Sequence, residues 1–209
     1  VSLSADLYHT FGKVQTNLLV EGFYTILDDV FALRDMDDAA DGGKVKERYN
    51  GSGATVRGFN VEGRAAFTRW FELQAGVTLQ QSRYKEPEFW SEDAEVPPVR
   101  RMFRTPDAYG YFTASFKPVR NFTADLSGTC TGSMLVQHMA GSGVAQDVAV
   151  STPSFFDMNI RLSYDVRIYK EITMQLYGGV QNLFNAYQKD FDKGVDRDSG
   201  YIYGPSLPR

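Results

Sequence analysis

A single cysteine, Cys130, stands in 209 residues. No disulfide can form within the chain, and cysteine use gives no redox compartment. No stretch approaches the ~18 apolar residues of a membrane helix, and the mean hydropathy is −0.33. A helical membrane protein is therefore excluded. A barrel is not, because barrel strands turn only every second residue to lipid. A basic cluster is missing as well: the formal net charge is −4, and nucleic acid is not an expected partner. G-x-S-x-G, H-E-x-x-H and a Gly-rich phosphate loop are all absent, so no enzymatic activity, resident cofactor or metal site is expected. There is no low-complexity tract and no helical period. Val1 opens inside an alternating pattern without a signal peptide, and the sequence reads as an excised piece of a longer chain.

What is present is alternation. Residues 1–11 set Val1, Leu3, Ala5, Leu7 and Phe11 against Ser2, Ser4, Asp6 and Tyr8, and Gly12-Lys13 turns the chain into 14–31. After a polar stretch at 28–52, Phe59, Val61, Ala65 and Phe67 alternate with Gly58, Asn60, Glu62 and Arg64. Thr68-Arg69 then turns into Phe71, Leu73, Ala75, Val77 and Leu79. A second long loop covers 82–106. Strands at 109–116 and 122–131 are joined by 117–121, and a third loop covers 134–154. The strand through Phe156, Met158, Ile160, Leu162 and Tyr164 turns at 168–171 into the one that ends at Val180. The fold class is all-β: an antiparallel up-and-down meander of about eight strands, with connections that alternate short and long.

Two architectures fit this pattern. Strands of ~10 residues suit a tilted bilayer crossing, and outer-membrane barrels put short turns on one side and long loops on the other. The polar positions are mostly Thr, Ser, Gln, Asn and Gly, as a hydrated lumen would carry. The rival is a soluble barrel or sandwich binding a small ligand or glycan through aromatic loops, since 12 Tyr and 15 Phe serve either role. The loop asymmetry favours the membrane barrel. Tyr111, Phe112, Phe116 and Phe122, around a short turn, then read as an aromatic girdle.

Two acidic groups invite a metal reading and lack its pattern. In Asp35, Asp37, Asp38 and Asp41, Ala39 replaces a ligand and Lys46 stands where a closing Glu belongs, so a solvated loop is expected. Asp190, Asp192, Asp196 and Asp198 interleave with Lys189, Lys193 and Arg197, and an ion-pair network is expected there. His138, between Gln137 and Met139, has no second histidine near it. His9 falls on the apolar side of the first strand, near its turn.

The end of the chain carries two motifs. Gly179-Val180-x-Asn182-Leu183-Phe184-Asn185 closes a strand; Arg197-Asp198-x-x-Tyr201-x-Tyr203-Gly204-Pro205-x-x-Pro208-Arg209 follows a polar loop. In order and spacing these resemble the closing segment of TonB-dependent outer-membrane receptors, plugged barrels that import iron chelates, haem and vitamin B12. Met134 to Gly141 resembles a loop of the same family, with Gln137 where proline is usual. The resemblance implies that residues 1–209 are a C-terminal segment of a siderophore-, haem- or cobalamin-type transmembrane β-barrel, with the final strand after Arg209 and the plug elsewhere. It implies the outer membrane of a Gram-negative bacterium. Its implied partners are TonB (through the plug), membrane lipid, and a metal chelate or other small molecule.

Ligand contacts are expected in the long loops, at Tyr84, Trp90, Arg100, Arg101, Arg104 and His138, where aromatic and guanidinium groups can hold an anionic chelate. Asn182, Phe184, Asn185, Arg197, Asp198, Tyr201, Tyr203, Gly204, Pro205 and Arg209 are expected to be structural. They would launch the final strand, with Tyr201 and Tyr203 on one face at the membrane–water boundary and Arg197 and Asp198 paired with loop charges.

Overall fold

The computed structural model describes residues 1–36, 45–141, 143–194 and 197–205. The acidic side chains from Asp35 to Asp41, Asp196, and the closing Pro208-Arg209 lie outside the described residues. The strands, in chain order, are β1 (Ser2–Phe11), β2 (Val14–Leu27), β3 (Phe31–Met36), β4 (Val45–Asn50), β5 (Ala54–Thr68), β6 (Phe71–Glu88) and β7 (Val99–Arg101). They continue with β8 (Ala108–Val119), β9 (Phe122–Thr131), β10 (Leu135–His138), β11 (Val148–Ser151), β12 (Phe155–Tyr169) and β13 (Ile172–Val180). The eight long strands form one antiparallel meander in the order β1-β2-β5-β6-β8-β9-β12-β13. Among the described residues there is no helix. The all-β reading stands.

The register shows why alternation along each strand becomes a property of the whole sheet. Residues directly opposite one another share a face. One continuous row runs Ala5, Val20, Val61, Val77, Gly110, Cys130, Phe156. The next is Leu7, Leu18, Gly63, Ala75, Phe112, Gly128, Met158. Shifted by one residue, the row becomes Tyr8, Asn17, Arg64, Gln74, Thr113, Ser127, Asn159, polar throughout. The apolar rows reach from Phe71 to Leu79 on β6, about the length a tilted strand needs to cross a bilayer.

The polar face is laced internally. Arg64 pairs with Glu72, Thr78 donates to Asn60 at 3.1 Å, Ser115 to Asp125 at 2.7 Å, and Gln175 to Asp165 at 2.9 Å. Arg161 lies 4.6 Å over the Tyr177 ring. The apolar face is bare. Leu79 is 55% exposed, Phe59 66% and Leu176 53%, and among the described residues only five hydrophobic side chains are buried. A soluble sandwich or closed barrel would bury these groups under a second layer, and the described residues supply none.

Several sequence expectations need correction. The loop at 28–52 holds the β3–β4 hairpin, and that at 134–154 holds β10–β11. β2 stops at Leu27, whereas β6 runs on to Glu88 and takes β7 alongside. Gln81 to Glu88 lack alternation because nearly all their side chains are polar; pairing continues where the pattern has ended. The connection read at 117–121 shrinks to Arg120-Asn121, with Pro118 in a register shift between Phe116 and Val119. A bulge is where a strand tolerates a residue without a donor. Tyr111 is not part of a girdle, since it faces the polar side and accepts a hydrogen bond from Gln74 at 3.2 Å. The aromatic cluster beside the turns is instead Phe67, Trp70, Phe71 and Phe116, with centroids 4.6 to 6.5 Å apart.

Two aromatic rings are accommodated by glycines directly opposite them. Tyr111 lies over Gly76 on the polar face and Phe112 over Gly128 on the apolar face. A Cβ at Gly128 would stand 2.3 Å from the Phe112 ring. Gly128→Ala should therefore destabilise the sheet by about 1–3 kcal/mol, the range for overpacking, and Phe112→Leu in the same molecule should restore most of it. Denaturant unfolding of the single and double variants checks this. Additive losses would mean that the ring and the glycine are uncoupled.

Candidate functional site

Four two-residue turns close one end of the sheet; the long connections fold together at the other. There the chain builds two arrangements. The first is a cleft of about 230 Å³ between the base of β3, the end of β4, the extension of β6, and the β7 and β10 segments. Phe31, Tyr84, Phe89, Trp90 and Phe103 line it, together with Glu88 and Gln137. Trp90 meets Phe103 edge-on at 5.4 Å and donates its indole N–H to the Pro97 carbonyl at 3.3 Å. Glu88 accepts a hydrogen bond from the Tyr49 hydroxyl at 2.9 Å. Burial, followed by the Glu88 charge, pushes the Tyr84 hydroxyl above its ordinary pKa. Among the described residues the cleft lining is aromatic, with one carboxylate and no lysine or arginine.

The second arrangement fastens the segment after β13 onto the β10–β11 hairpin. Asn182 ends β13 with φ 50°. Its amide donates to the Ala186 carbonyl and accepts from the Ala186 N–H, while its own N–H reaches Asn159 at 2.9 Å. Asn185, at φ 53°, donates its N–H to the Asn182 carbonyl, and asparagine tolerates this left-handed backbone. Phe184 leans on Phe156 at 5.8 Å. The chain then crosses His138, which is 8% exposed. Its Nε2 lies 3.0 Å from Asp192, and Tyr201 stacks flat on its ring with centroids 4.0 Å apart.

The hydroxyls of Tyr201 (2.6 Å) and Tyr203 both donate to Asp190. Gln188, 2% exposed, donates to the Tyr201 carbonyl at 3.1 Å and accepts from the Tyr203 N–H at 3.0 Å; its own N–H reaches Pro205. Asp198 accepts from the N–H groups of Met139 and Gly200. Arg104 donates to the Gly200 carbonyl. Gly204 lies against the Phe155 ring, 3.0 Å from where a Cβ would be.

This geometry corrects several expectations. Tyr201 to Pro205 do not resume a strand, and Tyr201, 3% exposed, is not at a membrane boundary. Asp190 draws both tyrosine hydroxyls away from that role. Asp190, Asp192 and Asp198 accept from hydroxyls, imidazole and backbone N–H groups in place of the expected lysine and arginine pairs; Arg197 is exposed. Among the described residues no three metal-capable side chains gather.

Of the six expected ligand contacts, the fold brings Tyr84 and Trp90 together on the cleft. Arg100 is exposed, 3.8 Å from Glu86. Arg101 reaches the Ser133 carbonyl at 2.6 Å and Asp107 at 3.0 Å, while Arg104 and His138 belong to the clasp. Phe31, Phe89, Phe103, Glu88 and Gln188 were missed. Adjacency to Trp90 was the available signal for Phe89; Phe103 and Gln188 gave none.

Neither a scan against protein-family models nor a search of curated proteins finds a match. Solved structures do match. The chain is similar to the ferric-catecholate import receptor Fiu of Escherichia coli K12 in its closed form (16% identity, TM-score 0.59), over 99% of this chain and 26% of that one. It is similar to the copper transporter OprC (13%, 0.56), over 100% and 29%. It is also similar to the outer-membrane transporter YddB of Escherichia coli (14%, 0.54), over 88% and 28%. At these identities the likeness shows a shared fold, and the chain spans less than a third of the length of each of these proteins.

The clasp should respond to pH from both sides. Partial burial pushes the Asp190 carboxyl up, but the two tyrosine hydroxyls outweigh this and hold it below its usual range. Burial and the Asp190 contact raise both tyrosine hydroxyls. The carboxylate's contribution is present above the ordinary carboxylate value of ~4 and is lost as pH falls through the lowered one. The tyrosine contribution is present below ~10 and is lost as pH climbs above it. Tyrosinate absorbance, compared with Tyr201→Phe and Tyr203→Phe variants, should show both hydroxyls ionising later than ordinary tyrosines. Gln188→Ala strands the Tyr201 carbonyl and the Tyr203 N–H at a cost of about 1–3 kcal/mol. Limited proteolysis should then cut after β13 faster, with the sheet intact; unchanged cleavage would contradict the clasp.

Proposed function

We propose that this chain is a wall and loop section of a TonB-dependent transporter in the outer membrane of a Gram-negative bacterium, importing a metal chelate of siderophore, haem or cobalamin class. The observation that carries the reading is the unbroken apolar face of bilayer height across eight strands, with short turns at one end and folded loops at the other. The motifs at 179–185 and 197–209 support it. So do the three structural neighbours, each named as a receptor or transporter. TonB acts on the plug, and the loops of this section capture cargo. No catalytic step is assigned.

The cleft narrows the ligand chemistry. With five aromatic side chains, Glu88 and no cation in its lining among the described residues, it seats an aromatic portion of the chelate that is neutral or cationic. Stacking on Trp90 and Phe103 and a hydrogen bond to Tyr84 or Glu88 would orient it. Exposed Arg100 serves as the contact for an anionic portion. Arg101, Arg104 and His138 act by holding the loops in place.

Trp90→Ala combined with Phe103→Ala should weaken capture about tenfold or more, the loss of two aromatic contacts, at normal surface levels. Uptake of ferric catecholate, haem and cobalamin by cells carrying the intact variant checks this. Replacing 89–106 with a short Gly/Ser turn should abolish uptake. Full uptake by an assembled double variant would move recognition elsewhere.

A further inference from the structure

The four two-residue turns share a composition that closing a hairpin does not require. Each carries one cation: Lys13 in Gly12-Lys13, Arg69 in Arg69-Trp70, Arg120 in Arg120-Asn121 and Lys170 in Lys170-Glu171. A fifth, Lys117, sits in the bulge beside the third turn. Glu171 is the one carboxylate in these turns, in a chain whose formal net charge is −4. All five cations are exposed. Among the described residues, none of them has a carboxylate within ion-pair distance. Some cations at the loop end are paired: Lys85, Arg100 and Arg101 meet Asp28, Glu86 and Asp107, while Arg83, Lys189, Lys193 and Arg197 are exposed.

Trp70 lies in the second turn itself and meets Phe71 and Phe116 of the adjoining strands, where Phe67 also joins the cluster, and the Lys170 ammonium rests 5.1 Å from the centre of the Tyr169 ring. Aromatic rings followed by cations is the order in which a bilayer presents its interface and then its headgroup phosphates. Neighbouring turns are two strands, about 10 Å, apart. A leaflet meets all four at once.

Resting on the membrane reading above, we infer that the short-turn rim docks anionic phospholipid headgroups of the phosphatidylglycerol class in the leaflet at that end. An acidic protein would offer similar charge, but the apolar and aromatic surface directly beside the cations fits acyl chains and glycerol, not a hydrated protein face. Each exposed cation close to an anionic surface contributes roughly a fivefold preference, so the rim should select such lipids strongly at low salt.

The test uses the intact protein in bilayers containing spin-labelled phosphatidylglycerol or phosphatidylcholine, and measures the motionally restricted lipid of each kind. The restricted fraction should favour phosphatidylglycerol several-fold. That preference should collapse in K13Q/R69Q/R120Q/K170Q and in about 1 M salt, and persist in K85Q/R100Q at the other end. If the quadruple variant fails to assemble, K13Q/K170Q and R69Q/R120Q should each lose part of the preference. Restricted lipid without anionic preference, or a preference untouched by the turn variants, overturns the inference while leaving the membrane reading intact. A protein that restricts no lipid overturns both.

Discussion

Cross-strand register is the constraint from which the rest of this structure follows. A one-residue slip at any of the seven pairings would carry a strand's apolar set to the opposite face. The bulges sit next to the short turns, where a shift disturbs little of the sheet beyond it. Between them Val20, Val61 and Val77 stay in one row and Asn17, Arg64 and Gln74 in the next. The glycines opposite Tyr111 and Phe112 serve the same end, letting large rings lie across a neighbouring strand on either face. Among the described residues such a sheet buries only five hydrophobic side chains. On the membrane reading proposed above, its stability depends on a solvent that differs between its two sides.

The two ends of the sheet meet different problems. At the turn end, two residues reverse the chain, and aromatic and cationic side chains finish the rim. The loop end buries Ala54, Leu135, Val136 and Tyr201 and adds polar contacts to backbone groups: Gln188 to Tyr201 and Tyr203, Asp198 to Met139 and Gly200, Arg104 to Gly200. Such contacts satisfy backbone groups and fix loop positions over those side chains. They leave the aromatic cleft beside them open for a ligand.

The strands were legible because their signal is local: apolar and polar residues alternate within a few positions, and each hairpin lies between neighbours in sequence. The loop end was not. His138 and Asp192 are 54 residues apart, and Arg104 and Gly200 are 96 apart; no short-range period marks such pairs. Tyr201 and Tyr203 alternate as strand residues do, but Asp190 gathers both hydroxyls and turns that stretch into a clasp. The β6 extension was hidden for a related reason, since backbone pairing leaves no pattern where nearly every side chain is polar. In the cleft, Tyr84 and Trp90 were legible as aromatics in a long loop. Glu88, which sets the charge of the site, reads in sequence like any surface carboxylate.

The claim that the two faces of this sheet meet different solvents is tested most directly by nitroxide labels at Leu73, Val77, Gln74 and Thr78 in the intact protein in a bilayer. Collision with oxygen dissolved in lipid should dominate at 73 and 77, and collision with a water-soluble relaxant at 74 and 78. Water access at 73 and 77, or lipid access at 74 and 78, would contradict the orientation and the membrane reading built on it.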